Sequence, residues 1–94
     1  MYAAFRHYKF DAQLGPEIDR KTKEIFVPLL KRIPGFIAYY WVDTGVGEGA
    51  SISVFKDKHG ADESVRVAAQ HVHQHADPSI KPPVVVEGPV KAHG

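Results

Sequence analysis

A cation among aromatic residues near the start of the chain is the first feature that could do chemistry. In the segment YAAFRHYKF (2–10), Arg6 and Tyr8 would lie on one face of a β-strand and His7 on the other. A guanidinium beside aromatic rings can pair with a phenolate or a carboxylate. The alternative is a structural ion pair between Arg6 and an acidic residue such as Glu87.

Histidines recur in the segment HVHQH (71–75) and raise the question of a metal site. On a helix, His71 and His75 are one turn apart whereas His73 points away, so the three imidazoles cannot share one ion. Relative to the apolar stripe of that helix, His71 faces mostly outward and His75 lies at its flank. We therefore predict no metal site, and we consider His71 and His75 candidate proton carriers in catalysis at the mouth of a pocket.

Hydroxyl groups and glycines give two weaker signals. Ser51 and Ser53 share one face of a predicted strand and could hydrogen-bond a ligand, although such hydroxyls more often bond backbone or water. The segment GVGEG (45–49) is too short for a phosphate-binding loop and lacks its Lys-Ser/Thr ending, so it indicates a hairpin. The candidate ligand-binding residues are therefore Arg6, Tyr8, Tyr40 and Ser53.

Composition restricts the class of protein. The 94 residues suffice for one domain, 1–94, and 12 basic against 11 acidic residues leave no charge surplus for nucleic acid. Cysteine is absent, which excludes disulfides and sulfur-based zinc sites. The first ten residues include charges, and no window approaches the roughly 20 apolar residues of a membrane span. We expect no membrane segment and a cytoplasmic location.

The elements that must position these residues follow from periodicity and turn residues. Aromatic and β-branched runs bounded by turn signals predict strands at 2–10, 36–43, 50–57 and 84–90. Asp57 is a plausible N-cap for a helix that ends before the segment 77–83. That helix has a stripe of small apolar residues: Ala61, Val65, Ala68, Ala69, Val72 and Ala76.

The other predicted helix lies between the first two strands. It begins at Pro16 and ends at the Pro-Gly pair 34–35. Pro28 lies inside it, on the outer side, where a local bend disturbs packing least. Its apolar face consists of Ile18, Thr22, Ile25, Phe26, Leu29, Leu30 and Ile33.

The element order βαββαβ predicts an α+β, ferredoxin-like antiparallel sheet with both helices on one face. The strand FIAYYWVD (36–43) is apolar on both faces, so the face without helices also needs cover. We predict that Tyr40 faces the helices, and that Tyr39 and Trp41 face a second copy of the chain. The sequence therefore predicts a homodimer through the sheet face.

Three segments carry a resemblance to a known family: FVPLLKRIPGFIAYYWVD, SISVFKDKHGADES and PPVVVEGPV, in this order across most of the chain. In these segments the chain resembles the dimeric α/β-barrel proteins, which include antibiotic-biosynthesis monooxygenases and stress-responsive barrel domains. The resemblance implies a dimeric α/β barrel whose pocket lies between sheet and helices.

The monooxygenase branch implies oxidation without cofactor of a small aromatic or polyketide-like substrate, a phenol that reacts with oxygen once it is deprotonated. Arg6, Tyr8 and Tyr40 would then contact the substrate. The alternative is a non-catalytic ligand-binding or stress-responsive dimer. The heme-degrading branch is similar in carrying an asparagine on the first strand, a tryptophan, and a histidine on the second helix. The segment AAQHVHQH (68–75) offers the histidine. This chain has no asparagine, and Trp41 lies on a predicted strand, so we do not expect heme chemistry.

Overall fold

The fold is a four-stranded antiparallel sheet in the order β2-β3-β1-β4, which confirms the predicted ferredoxin-like topology. The structure is a computed structural model and describes residues 1–75 and 77–94, so the helix position predicted for Ala76 lies outside the described residues. The strands are β1 (Tyr2–Lys9), β2 (Phe36–Gly45), β3 (Glu48–Phe55) and β4 (Val84–Pro89). β4 is an edge strand, as its Pro89 indicates.

The first helical region joins β1 to β2 in four consecutive pieces. Asp11 accepts a hydrogen bond from the N–H of Gln13 at 3.0 Å and starts a 3₁₀ turn. As predicted, Pro16 stands in the first turn of the helix that comes next. The pieces are the 3₁₀ turn Ala12–Leu14, α1 (Gly15–Lys21), a π-helical turn Thr22–Phe26 and α2 (Val27–Lys31).

The π-helical turn has a local cause in Pro28. Proline lacks an N–H, and its ring collides with the carbonyl group four residues earlier, that of Glu24. One helical turn is therefore wider than in an α-helix, and the N–H of Val27 donates a hydrogen bond to the carbonyl of Thr22, five residues earlier. Pro28 is exposed, as predicted, while Thr22 and Phe26 are buried against the sheet.

The second helix, α3 (Lys58–His75), joins β3 to β4. The predicted N-cap is present, since Asp57 Oδ1 accepts a hydrogen bond from the N–H of Gly60 at 3.1 Å. Ser64, which the apolar pattern missed, is fully buried because its hydroxyl donates to the carbonyl of Ala61 at 2.6 Å. No helix in the described part of the chain is long and apolar enough to cross a membrane.

Strand pairing separates the sheet into two faces. One continuous row on the face that packs against the helices, the inner face, consists of Val85, Arg6, Ser51 and Trp41. The row beside it on the opposite, outer face consists of Val86, Phe5, Ile52 and Tyr40. The helices and inner face enclose the core: Ala4, Phe26, Leu30, Ile33, Phe55, Ala61 and Ala68.

The prediction for the two faces of β2 is wrong. Tyr39 pairs with Ser53 and Trp41 with Ser51, and both serines are buried on the inner face. Tyr40 pairs with Ile52 and lies on the outer face, 57% exposed. The alternation was correct, but the face toward the helices is set by pairing with β3, whose inner residues include two serines.

Candidate functional site

The centre of the candidate site is the side chain of Arg6, which projects from β1 into the space beneath the helices. It is only 1% exposed. Its Nη2 donates to Ser53 Oγ at 2.9 Å, and its Cζ lies 5.9 Å from the centre of the Phe26 ring. Its Nε and Nη1 are buried and have no hydrogen-bond partner among the described residues. A permanent charge is therefore held in the interior with only part of its donor capacity used.

The alternative that Arg6 forms an ion pair with Glu87 is wrong. Glu87 faces Lys58 instead, at 3.5 Å. Arg6 takes part in none of the ion pairs formed by residues 1–75 and 77–94. Since a buried charge without a counter-ion is unfavourable, the geometry favours an anion from outside the chain as its partner.

Arg6 lies at the wall of a wide cleft of about 550 Å³, between α3 and the segment that leads to β4. A cleft of this size is in the range of small-molecule sites. Apart from Arg6, Tyr8 and His73, its walls are apolar. They are formed by Val65, Ala68, Ala69, Val72, Pro78, Ile80, Pro82, Pro83 and Val85.

A second, narrow chamber of about 60 Å³ adjoins the wide cleft. Tyr8, Ala68, Val72 and Ile80 line both spaces, so the two lie next to each other. Three aromatic walls of the chamber are Phe10, Phe26 and Trp41. Its polar rim consists of Glu17, Lys21, Thr22, His71, His75 and Asp77.

Phe26 connects the parts of the site. Its ring centre lies 5.0 Å from that of His71 and 5.3 Å from that of Tyr39, in addition to its contact with Arg6. The π-helical turn Thr22–Phe26 places this ring against the sheet. The sequence placed Phe26 on the helix face toward the core, but it contains no signal for the wider turn.

The two tyrosines nearest Arg6 are neutral phenols at pH 7. Burial raises the pKa of Tyr39 to about 12, although the Arg6 charge opposes the shift. Burial likewise raises the pKa of Tyr8, again against the influence of Arg6. Both hydroxyls are therefore hydrogen-bond donors at pH 7, and that of Tyr8, which lines both spaces, can donate to an anionic ligand.

His71 has a perturbed pKa. Burial lowers this pKa to about 4, and the nearby charges of His75 and Lys21 act in the same direction. Its Nδ1 is buried and has no hydrogen-bond partner in the described part of the chain. The prediction that His71 faces mostly outward is wrong, because its ring packs against Phe26. At pH 7 it is a neutral imidazole, and its lowered pKa makes it a weak proton acceptor.

His75 lies beside His71, with their ring centres 5.3 Å apart. Its carbonyl accepts a hydrogen bond from Lys21 Nζ, which also pairs with Glu17 at 3.1 Å. His73 is exposed at the edge of the wide cleft. Within residues 1–75 and 77–94, no group of three or more His, Cys, Asp or Glu side chains could hold a metal ion.

Lowering the pH from 6.5 to 4 is expected to reduce the free energy of unfolding through His71. The folded-state pKa is about 4 against an ordinary 6.5, so in this interval the unfolded chain binds a proton that the folded chain does not. Stability present above pH 6.5 is lost as the pH falls. In urea unfolding between pH 7 and 4, the free energy of unfolding of His71→Leu should decline less steeply with falling pH than that of the native protein. His73→Leu, a change at an exposed site on the same helix, should follow the native slope. Equal slopes in all three would contradict this assignment.

The structure brings together three of the four predicted ligand-binding residues. Arg6, Tyr8 and Ser53 are buried on the inner face, whereas Tyr40 lies on the outer face and cannot reach them. Trp41 occupies the place expected for Tyr40. The sequence holds no local signal for this exchange, because the orientation of β2 is set by its pairing with Ser51 and Ser53 of β3, which are buried on the inner face.

Comparison with known proteins places the fold in a wider group. No protein-family model and no curated protein matches the chain. Among solved structures, the heme-degrader MhuD from Mycobacterium tuberculosis, with two hemes bound in its active site, is 14% identical with a TM-score of 0.76, covering 100% of this chain and 99% of that one.

Two further solved structures are similar. A monooxygenase from the gene ActVA-Orf6 of Streptomyces coelicolor, in complex with nanaomycin D, is 9% identical with a TM-score of 0.74, covering 98% of this chain and 88% of that one. A dimeric ferredoxin-like protein from an uncultured marine organism is 13% identical with a TM-score of 0.72, covering 99% of this chain and 97% of that one. The resemblance to the dimeric α/β-barrel superfamily is thus confirmed at the level of the fold.

Proposed function

From the fold of the dimeric α/β-barrel superfamily and the chemistry of the site, we propose that the protein binds a small, acidic aromatic molecule and oxidises it with molecular oxygen. The observation that carries the proposal is the buried guanidinium of Arg6, which faces a cleft of about 550 Å³ without an acidic partner among the described residues. An aromatic ligand with a phenolate or carboxylate group satisfies both the charge and the apolar walls.

The chain can assist such a reaction by holding the phenolate form. Arg6 stabilises the anion electrostatically in a partly dry cavity, where charge interactions are stronger than in water. The phenol proton passes to water, and the Tyr8 hydroxyl, at the wall of the same cleft as Arg6, donates a hydrogen bond to the anion.

The oxidation of an anthrone-like phenol balances without a further reductant. The ring CH₂ group becomes a carbonyl, one atom of O₂ enters that carbon, and the other leaves with the two hydrogens as water. The substrate loses four electrons, and O₂ accepts four. No metal or flavin takes part in this scheme. The monooxygenase of Streptomyces coelicolor, whose structure contains nanaomycin D, supports this class of ligand.

The heme of MhuD is a less suitable ligand for this site. His71, whose Nδ1 is buried without a partner in the described chain, lines the narrow chamber of about 60 Å³. Among the described residues that line the wide cleft, the only histidine is His73, which is exposed at its edge. The residues present therefore do not place an iron ligand in a space that accommodates a macrocycle.

A second copy of the chain is the proposed partner of the outer face. Phe5, Val86 and Tyr40 lie in one row there and are 44%, 62% and 57% exposed. A soluble protein seldom leaves a continuous apolar row open to water. The dimeric ferredoxin-like protein from the marine organism supports a dimer for this chain as well. The exposed apolar row supports an interface in which the two sheets pack face to face.

Oxygen uptake is the direct test of the enzymatic proposal. With a panel of anthrone-like phenols and hydroquinones, and without metal or flavin, the native protein should consume oxygen faster than buffer. Tyr8→Phe should slow turnover at least about tenfold, since it removes a hydrogen bond to the anion. Tyr2→Phe, on the same strand but outside the walls of both spaces, serves as the matched control. Uptake no faster than buffer across the panel, together with ligand binding, would instead identify a non-catalytic binding protein.

A further inference from the structure

The indole of Trp41 occupies the space that a side chain at Gly49 would fill. A Cβ atom built on Gly49 would lie 2.4 Å from Trp41 Cη2 and 2.6 Å from Cζ2, well inside van der Waals contact. The indole therefore lies directly on the β3 backbone. Only glycine leaves room for this close approach.

Two further contacts fix the position of the ring. Trp41 Nε1 donates a hydrogen bond to Asp19 Oδ1 on α1, at 2.8 Å. The indole also meets the Tyr8 ring edge-on, with centres 6.0 Å apart, and the tilted Phe10 ring at 6.4 Å. Trp41 is thus supported from the sheet, from the first helix and from two neighbouring rings, so it has little freedom to yield to a ligand.

The chamber that Trp41 lines is small and bounded by other flat rings. Phe26 and His71 lie there with centres 5.0 Å apart and planes tilted by 34°. The interior space is about 60 Å³, against about 550 Å³ in the cleft beside Arg6. A thin, planar group can enter such a space. A puckered saturated ring of the same outline is thicker and therefore fits less well.

We propose that Trp41 is a specificity-determining residue, a fixed aromatic wall that selects planar fused-ring ligands. This inference rests on the proposed function, because the anionic group of the same ligand would pair with Arg6. Tyr8, which lines both spaces, lies at the junction. The ligand class is therefore a planar, at least bicyclic aromatic anion whose charged group lies in the wide cleft and whose outer ring stacks in the chamber.

The test compares two carboxylates of equal charge, 2-naphthoate and its fully saturated counterpart, decahydronaphthalene-2-carboxylate. Ordinary apolar burial does not favour the planar ring, since the saturated rings are at least as hydrophobic. The native protein should nevertheless bind 2-naphthoate roughly 3- to 10-fold more tightly, the range expected for an aromatic stacking contact. Trp41 is the only tryptophan in the chain, so quenching of its fluorescence by 2-naphthoate reports the contact directly, and calorimetry gives both affinities.

Five variants separate the specificity role from a merely structural one. Trp41→Leu should bind 2-naphthoate and its saturated counterpart with about equal affinity, and Trp41→Phe should retain part of the preference for 2-naphthoate. Gly49→Ala displaces the indole and Asp19→Ala removes its hydrogen bond, so both should weaken the preference even if Trp41→Leu does not fold. Asp19→Asn keeps the acceptor oxygen and should behave as native.

The outcomes distinguish this inference from the proposed function. A native preference for the saturated ligand, or a preference unchanged in the folded variants Trp41→Leu and Gly49→Ala, would overturn the role of Trp41 and leave the anion site intact. If neither carboxylate binds the native protein, the proposed function fails and the inference fails with it.

Discussion

Arg6→Met is expected to make the protein more stable and nearly inactive. The native chain buries a charge of which two nitrogens have no partner among the described residues, and methionine fills a similar volume without that desolvation penalty. We expect the free energy of unfolding to rise by about 1–3 kcal/mol, reduced by the lost hydrogen bond to Ser53. Turnover should fall by roughly 10²–10³, as for the loss of an oxyanion donor.

Urea unfolding without ligand and oxygen uptake with the best substrate measure the two effects. Arg20→Met is the matched control, because Arg20 is exposed on α1 and pairs with Glu24 at 3.1 Å. An exposed ion pair of this kind contributes little to the free energy of unfolding, so the stability and the turnover of Arg20→Met should stay close to native. A less stable Arg6→Met variant would show that the guanidinium is a structural residue, and unchanged turnover would exclude it from the mechanism.

A lysine on the outer face should convert the proposed dimer to monomers. Phe5 and Tyr40 flank Ile52 in one row across the sheet, so Phe5→Lys and Tyr40→Lys would each bury a charge between two packed sheets. The cost of an unpaired buried charge, several kcal/mol, corresponds to a dissociation constant raised by roughly 10²–10³. Light scattering at micromolar concentration should give twice the monomer mass for the native protein and the monomer mass for the variants.

Val46→Lys is the control for this change. Val46 is 91% exposed in the β2–β3 turn, away from the row of apolar residues on the outer face, so the same replacement should leave the dimer intact. A native protein of monomer mass would contradict the proposed interface. Trp41→Lys, which the sequence alone would recommend, tests a different feature, because Trp41 lies under the helices.

The fold was predictable from sequence because its signals are local. The Pro16 and Pro-Gly boundaries define the first helical region, and Asp57 caps the second helix as expected. Strand alternation correctly grouped Arg6 with Tyr8 and Tyr39 with Trp41. It could not say which group in β2 faces the helices, since that depends on pairing with β3, where Ser51 and Ser53 are buried around Arg6 despite their polar side chains.

The site was less predictable because it depends on how separate elements approach each other. His71 appeared to face outward on a helical wheel, yet the ring of Phe26 covers it. Trp41 could not be recognised as a wall of the chamber without the neighbouring Gly49. Interactions of this kind are set by tertiary packing, which no single segment encodes.

The π-helical turn Thr22–Phe26 links the length of the chain to the shape of the ligand site. Each residue added to an α-helix rotates the remainder of the helix by about 100°, and a π turn contains one residue more than an α turn. The helical segments before and after it are therefore out of phase with each other. Losing one residue within 22–26 would rotate the segment before it by about 100° relative to α2 and exchange the ring of Phe26 for a neighbouring side chain, while the sheet stayed unaltered. A change of length at this point, rather than a substitution, is the shortest route by which a protein with this architecture could acquire a chamber of different shape.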